Sequence, residues 1–225
     1  MAGDGMTDWH PDIPQEYRNQ IVTGDARRLA EAIPDESIDL IFTDPVYDRI
    51  EDYEWLAETA ARVLKNTGAL LCWSNGKWHR LNTNWLEQVL VYRYDFASVH
   101  HAGGSPMYGK IIAKTNRLIW LDKNGESKLS GYIPDGHLSK PWSGPKEFKW
   151  TKNPRLTELA IKSFPGLVFD PFTGGGTVPA VCKMLQRNYI AFEIDPTTAD
   201  LARERVRNTQ PPLLVPQAEQ SRLDL

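Results

Sequence analysis

Cysteine is scarce in this sequence: only Cys72 and Cys182 occur in 225 residues. Each sits in an apolar run, Leu70-Leu71-Cys72-Trp73 and Ala180-Val181-Cys182. That setting predicts buried, reduced thiols and argues against a disulfide framework or a cysteine-ligated metal. No metal site is expected. Long apolar runs are also missing, so no segment approaches the length of a membrane span. The first ten residues, Met1 to His10, lack the apolar stretch that opens a secretory leader. A cytoplasmic setting without membrane contact is therefore expected. Net charge is small as well, at −3, which taken alone speaks against a polyanionic partner.

The average hides a division. Residues 1–100 carry 9 Lys and Arg against 17 Asp and Glu, residues 101–160 carry 10 against 5, and residues 161–225 carry 7 of each. The basic stretch interleaves Lys140, Lys146 and Lys149 with Trp142, Phe148 and Trp150. Such a mix suits phosphate contacts and stacking on bases. A solvated or packed loop of the same composition is the plainer alternative.

Apolar runs predict strands over residues 37–43, 69–73, 92–99, 117–121, 167–169 and 189–194, with a shorter run at 21–22. Helical spacing predicts helices over 26–33, 54–64, 85–90, 155–162, 178–185 and 198–207. Residues 101–112 and 126–150 read as loops, residues 1–15 as a loose arm, and residues 210–225 as a disordered tail. Strands alternating with helices argue for one α/β domain, a largely parallel sheet covered on both faces. Ligands of such sheets lie at the carboxyl ends of the strands.

Two motifs fall at such ends. Asp170-Pro171-Phe172-Thr173-Gly174-Gly175-Gly176-Thr177 follows a strand and opens a helix. Its glycines let the backbone pass close to a ligand. The run Tyr189-Ile190-Ala191-Phe192 then ends in Glu193, and an acid there suits the two hydroxyls of a ribose. A nicotinamide site would want a third glycine at position 179, where this chain has Pro179. The residues thus point to a cofactor with a ribose but no pyrophosphate. The second motif, Thr43-Asp44-Pro45-Val46-Tyr47, puts a carboxylate, a restrained carbonyl and an aromatic face at another strand end. On its own it is also consistent with an ordinary Asp-Pro turn.

Taken together, the motifs resemble those of the amino-directed DNA methyltransferases, which methylate N6 of adenine or N4 of cytosine. In that family the catalytic motif is usually Asp-Pro-Pro-Tyr and the cofactor motif is similar to Asp-Pro-Phe-x-Gly-x-Gly-Thr. Here the catalytic motif comes first, the circularly permuted order of the β class. The resemblance spans residues 20–208 and includes Gly24-Asp25, Lys152-Asn153-Pro154 and Arg187 through Asp195. It implies a Rossmann-like methyltransferase fold with a seven-stranded sheet, one strand antiparallel near an edge. It implies S-adenosylmethionine as cofactor, held by Asp25, Asp170, Phe172, Gly174, Gly176, Thr177 and Glu193. Asp25 has a second role open to it, capping the helix at Ala26. The implied partner is double-stranded DNA, bound through the basic region 101–153 by Lys140, Lys146 and Lys149; a homodimer is left open.

The catalytic group implied is Asp44, Pro45 and Tyr47. An exocyclic amino nitrogen is a poor nucleophile because its lone pair is spread into the ring. Acceptors at Asp44 and the Pro45 carbonyl would localise that pair as the bond to the methyl forms. The base must leave the duplex, at a cost of about a few kcal/mol. Tyr47 would offset part of this by stacking. The family tends to carry Asp at the first motif position for adenine and Ser for cytosine, so N6-adenine is favoured. Val46 departs from the family's second proline, restoring a backbone N–H and a freer φ. A substrate other than DNA, or a DNA-binding module that has lost methyl transfer, are the other readings. His100-His101 is not needed by this chemistry.

Overall fold

A computed structural model describes residues 9–100, 105–107, 111–139 and 154–210. The strands are β1 (Gln20–Thr23), β2 (Ile38–Thr43), β3 (Leu64–Asn75), β4 (Val91–His100), β5 (Ser105–Met107), β6 (Ile111–Ala113), β7 (Thr115–Asp122), β8 (Gly136–Ser139), β9 (Val168–Asp170) and β10 (Tyr189–Glu193). The helices are α1 (Ala26–Leu29), α2 (Ile50–Val63), α3 (His79–Leu86), α4 (Pro154–Ser163), α5 (Thr177–Met184) and α6 (Pro196–Asn208). Eight strands form one sheet in the order β1-β10-β9-β2-β3-β7-β4-β8, while β5 and β6 pair apart from it. Among the described residues of that larger sheet, only β7 runs against its neighbours, β3 and β4. Among the described residues no helix is long and apolar enough to cross a membrane.

The central strands read as unbroken apolar runs because helices cover both faces. Along β2, Ile38 and Ile41 face one cluster and Leu40 and Phe42 the other, all fully buried. The first cluster lies under α1, α2 and α3, with Tyr53, Leu56, Ala60 and Leu86 packed against Leu70, Phe169 and Phe192. The second lies under α4, α5 and α6, with Leu156, Ile161, Cys182 and Ala199 against Leu71, Trp73 and Ala191. Each fully buried Leu, Ile or Phe contributes about 1.5–3 kcal/mol. Both cysteines are buried free thiols, as their apolar setting implies.

The sequence-based expectations differ from this fold at definable points. The sheet has eight strands rather than seven, because β8 occupies part of the stretch read as loop over 126–150. Gly136-His137-Leu138-Ser139 has no apolar pattern, and Leu138 is exposed; parallel pairing with β4 holds it. Likewise β5 and part of β6 lie in the expected loop 101–112. Helix α2 starts at Ile50 rather than 54 and ends at Val63, so Asn66-Thr67-Gly68 lies inside β3. Helix α3 covers 79–86 rather than 85–90, and α1 gives way to a 3-10 turn over Ala30–Ala32. Of the arm expected over 1–15, residues 9–15 pack onto the domain, with Ile13 only 1% exposed. Residues 1–8, 140–153 and 211–225, which include Lys140, Lys146 and Lys149 and nearly all of the tail, lie outside the described residues.

One glycine ties the entry of β9 to that of β2. Gly166 has φ +93°, and a Cβ there would stand 2.1 Å from Asp39 Cγ. The Asp39 carboxylate accepts from Leu167 N–H at 2.8 Å and from Lys65 Nζ at 2.9 Å. Gly166→Ala must therefore strain the backbone and displace a bonded carboxylate. We expect a loss of about 2–4 kcal/mol, from strain of about 1–3 kcal/mol plus the weakened bonds, measured by urea denaturation. A loss below about 0.5 kcal/mol would show that the turn relaxes freely.

Candidate active site

Strands β2 and β9 are parallel neighbours, with Leu40 opposite Val168 and Ile41 opposite Phe169. Their carboxyl ends therefore carry the two motifs side by side. A hydrogen bond joins them directly: Thr43 Oγ1 donates to Asp170 Oδ1 at 2.8 Å. Phe172 N–H donates back to Thr43 Oγ1 at 3.2 Å, and Thr173 Oγ1 donates to Asp170 Oδ2 at 2.8 Å. Asp170 is only 3% exposed, so its carboxylate is turned inward to these partners. Burial raises its pKa to about 7, against the pull of those hydrogen bonds and with the help of the Asp44 charge nearby.

Beyond Thr43 the chain makes a tight loop, closed by Arg49 N–H donating to the Val46 carbonyl at 3.1 Å, and then enters α2. Pro45 is buried, Asp44 and Tyr47 are half-buried, and Val46 is exposed. The Tyr47 ring packs on the second core cluster and its hydroxyl bonds to the Asp44 carboxylate. Burial, then the Asp44 charge and that bond, hold the phenol well above its ordinary pKa. From below, Asn82 Nδ2 of α3 reaches the Tyr47 carbonyl at 3.3 Å.

The glycine turn sits across the crevice. Gly174 (φ +49°) and Gly176 (φ +72°) are both left-handed. Gly176 is packed: a Cβ would lie 2.9 Å from the Ala202 Cβ of α6. Gly174 is not, for nothing lies within 4 Å of where its Cβ would be, which leaves bare backbone facing open space. Glu193 clamps the turn, accepting from Gly174 N–H at 2.8 Å and from Asp195 N–H at 2.9 Å. Arg205 donates to the Gly175 carbonyl at 2.9 Å and to Thr177 Oγ1 at 3.0 Å. Asp25 caps α1, accepting from Arg27 N–H at 2.9 Å, at the end of β1 beside β10. Phe172 meets Trp55 of α2 edge to face at 5.5 Å.

Comparison with known proteins bears on this arrangement. A DNA methylase family model matches residues 114–204. The chain is 26% identical over 245 residues to the Type II methyltransferase M.BamHI of Bacillus amyloliquefaciens, an overlap covering 84% of this chain and 57% of that protein. It is 26% identical over 258 residues to M.HinfI of Haemophilus influenzae, covering 87% and 70%. The chain thus spans little more than half the length of the Bacillus relative. Among solved structures, the M1.HpyAVI–SAM complex superposes with a TM-score of 0.70 at 23% identity, covering 83% of this chain and 98% of that one. The cytosine-N4-specific PvuII DNA methyltransferase gives 0.70 at 18% identity, covering 82% and 85%. These likenesses tie the chain to DNA methylases in sequence over residues 114–204 and to solved DNA methyltransferases in fold. The Rossmann-like fold of these solved structures is the fold described above, and the M1.HpyAVI structure is a complex with S-adenosylmethionine.

The residues at these strand ends would suit the same ligand. Bare backbone at Gly174, the acid Glu193 at the end of β10, and an exposed apolar side chain next to it in the chain, Ile194, lie at the carboxyl ends of β9 and β10. A ribose with its hydroxyls and an adenine ring would find complementary surfaces there. The structure gathers Asp25, Phe172, Gly174, Gly176, Thr177 and Glu193 around β1, β9 and β10, and sets Asp44, Pro45 and Tyr47 on the adjoining β2. It adds a structural task to several: Glu193 braces the turn, Thr177 accepts from Arg205, and Asp170 joins the two strands. Sequence reasoning missed Ile194, Trp55, Asn82 and Arg205. Ile194 was legible as the apolar residue after the strand-end acid. The others were not, because nothing in their local sequence marks a helix residue as facing a strand end.

Asp170 yields a test of this geometry. Its folded pKa lies above the unfolded value, so between about pH 4 and 7 the folded state holds a proton that the unfolded state has lost. This group's contribution to stability is therefore greatest below pH 4, falls as pH rises to 7, and is level beyond. Asp170→Asn removes the fall. The stability of the variant relative to the parent should climb between pH 4 and 7, by roughly 4 kcal/mol at most, in denaturation curves taken across that range. A pH-independent difference would mean that Asp170 is ionised throughout.

Proposed function

We propose that the chain transfers a methyl group from S-adenosylmethionine to the exocyclic amino group of a base flipped out of double-stranded DNA, N6 of adenine in the favoured case. The observation that supports this most directly is the Thr43–Asp170 bond, which holds the acceptor loop against the cofactor-side turn. When bound, S-adenosylmethionine supplies an electrophilic methyl on a sulfonium. The protein's part is to aim the nucleophile. Asp44 and the Pro45 carbonyl accept the amino hydrogens, which localises the nitrogen lone pair and stabilises charge that develops only as the new bond forms. Holding both partners in line supplies much of the remaining acceleration. Tyr47 would stack its ring on the flipped base, an interaction worth about 1–3 kcal/mol.

Adenine is favoured by the aspartate at position 44. The second reading, N4 of cytosine, is supported by the likeness to the cytosine-N4-specific PvuII structure. A cytoplasmic setting suits the two free buried thiols.

Asp44→Ala should keep cofactor affinity, measured by calorimetry, while turnover falls by about 10²-fold or more. Near-parental turnover would remove Asp44 from the reaction. Phosphate contacts are assigned to Lys140, Lys146 and Lys149. Neutralising all three should weaken binding of labelled duplex and flatten its salt dependence, each lost contact lowering the slope of log affinity against log salt by just under ~1. An unchanged slope would place the DNA surface elsewhere.

A further inference from the structure

The catalytic motif is anchored by β2 on one side and opens into α2 on the other, with the exposed Val46 between. Val46 leaves φ free at the centre of the loop, where a proline would fix it. Something else must then hold the Tyr47 peptide, because a misplacement of about 1 Å in such a site costs about 10²-fold in rate.

A buried amide under the loop meets that requirement. Asn82 is on α3 and is 0% exposed. Its Nδ2 donates to the Tyr47 carbonyl at 3.3 Å and to Ser74 Oγ at 3.0 Å. Ser74 is also 0% exposed, near the end of β3, the sheet neighbour of β2. One amide thus links the loop to the next strand. Helix α3 is itself fixed to the end of β3, since Asn75 Oδ1 accepts from Lys77 N–H at 3.0 Å and Trp78 N–H at 3.1 Å, and Asn82 N–H donates to the Trp78 carbonyl at 2.9 Å.

Stability alone does not account for this residue. Asn82 Oδ1 is buried with no hydrogen-bond partner. A buried, half-satisfied amide is a poorer core residue than an apolar side chain of the same volume. The geometry points to Asn82 as a positioning residue: it holds the Tyr47 carbonyl in register, and with it the Asp44–Pro45 acceptors, in place of the rigidity that a proline at position 46 would give. This rests on the reading of the Asp44–Tyr47 loop as the acceptor of the target amino group.

The test uses Asn82→Leu, an apolar replacement of similar size, alone and combined with Val46→Pro. Three quantities are measured: single-turnover methyl transfer to duplex DNA at saturating S-adenosylmethionine, cofactor affinity by calorimetry, and hydrogen exchange at the amides of residues 47–49. Asn82→Leu should slow transfer by about 10–100-fold, leave cofactor affinity and melting temperature near parental, and speed exchange several-fold in the loop but not in β2. Adding Val46→Pro should restore most of the rate and slow the exchange. A merely structural residue would lower the melting temperature and leave the folded fraction transferring at the parental rate. Parental transfer with parental loop exchange in Asn82→Leu overturns the assignment, as does loosened exchange that Val46→Pro leaves untouched. If the parent itself transfers no methyl, the functional reading fails, and loop exchange alone then decides for or against Asn82.

Discussion

The bond from Thr43 Oγ1 to Asp170 Oδ1 is the constraint on which the rest of the site depends. It crosses from the last residue of β2 to the last residue of β9, and so fixes the spacing of two loops that share no local sequence. Parallel pairing of the strands brings these residues near each other, but only side-chain bonding sets how the loops leave the sheet. Asp170 accepts from Thr43, Thr173 and the Phe172 N–H at once. A buried carboxylate with that many donors is tolerated where an isolated one is not. Burial still outweighs those donors, raising its pKa to about 7.

The same economy recurs across the crevice. Glu193 uses both carboxylate oxygens on the backbone N–H groups of Gly174 and Asp195, and so braces the turn while remaining at the strand end where a ribose would lie. Each oxygen keeps a further lone pair with which to accept from a hydroxyl. Gly176 is committed to packing against Ala202, whereas Gly174 faces open space. The turn thus has one glycine that locks it to α6 and another whose Cα faces open space.

Much of this was legible in the sequence. The central strands show as continuous apolar runs because helices cover them on both sides, and the two motifs stand out because each follows such a run. β8 was not legible: its only apolar side chain, Leu138, is exposed, and backbone pairing with β4 holds it in the sheet. The start of α2 was hidden for a different reason. Ile50-Glu51-Asp52 reads as polar, but Asp52 is buried against the Arg27 guanidinium at 2.7 Å, a partner that only the tertiary fold supplies. Asn82 and Ser74 were illegible for the same reason, since a buried polar residue and a solvated one look alike in a sequence. The inward turn of Asp170 toward Thr43 could not be read either, because spacing alone does not tell a cofactor ligand from a brace between strands.

The proposed reaction passes a methyl from S-adenosylmethionine to a base amino group in DNA at the carboxyl ends of β2 and β9. It is tested most directly by incubating duplex DNA with the protein and cofactor labelled with deuterium in the methyl, digesting the DNA, and weighing the nucleosides. The account predicts a labelled methyl on one nucleoside alone, N6-methyladenosine in the deoxy series, formed about 10²-fold or more slowly when Asp44 is replaced by alanine. Unlabelled DNA, or label fixed on a ring carbon rather than an exocyclic amino nitrogen, would contradict it.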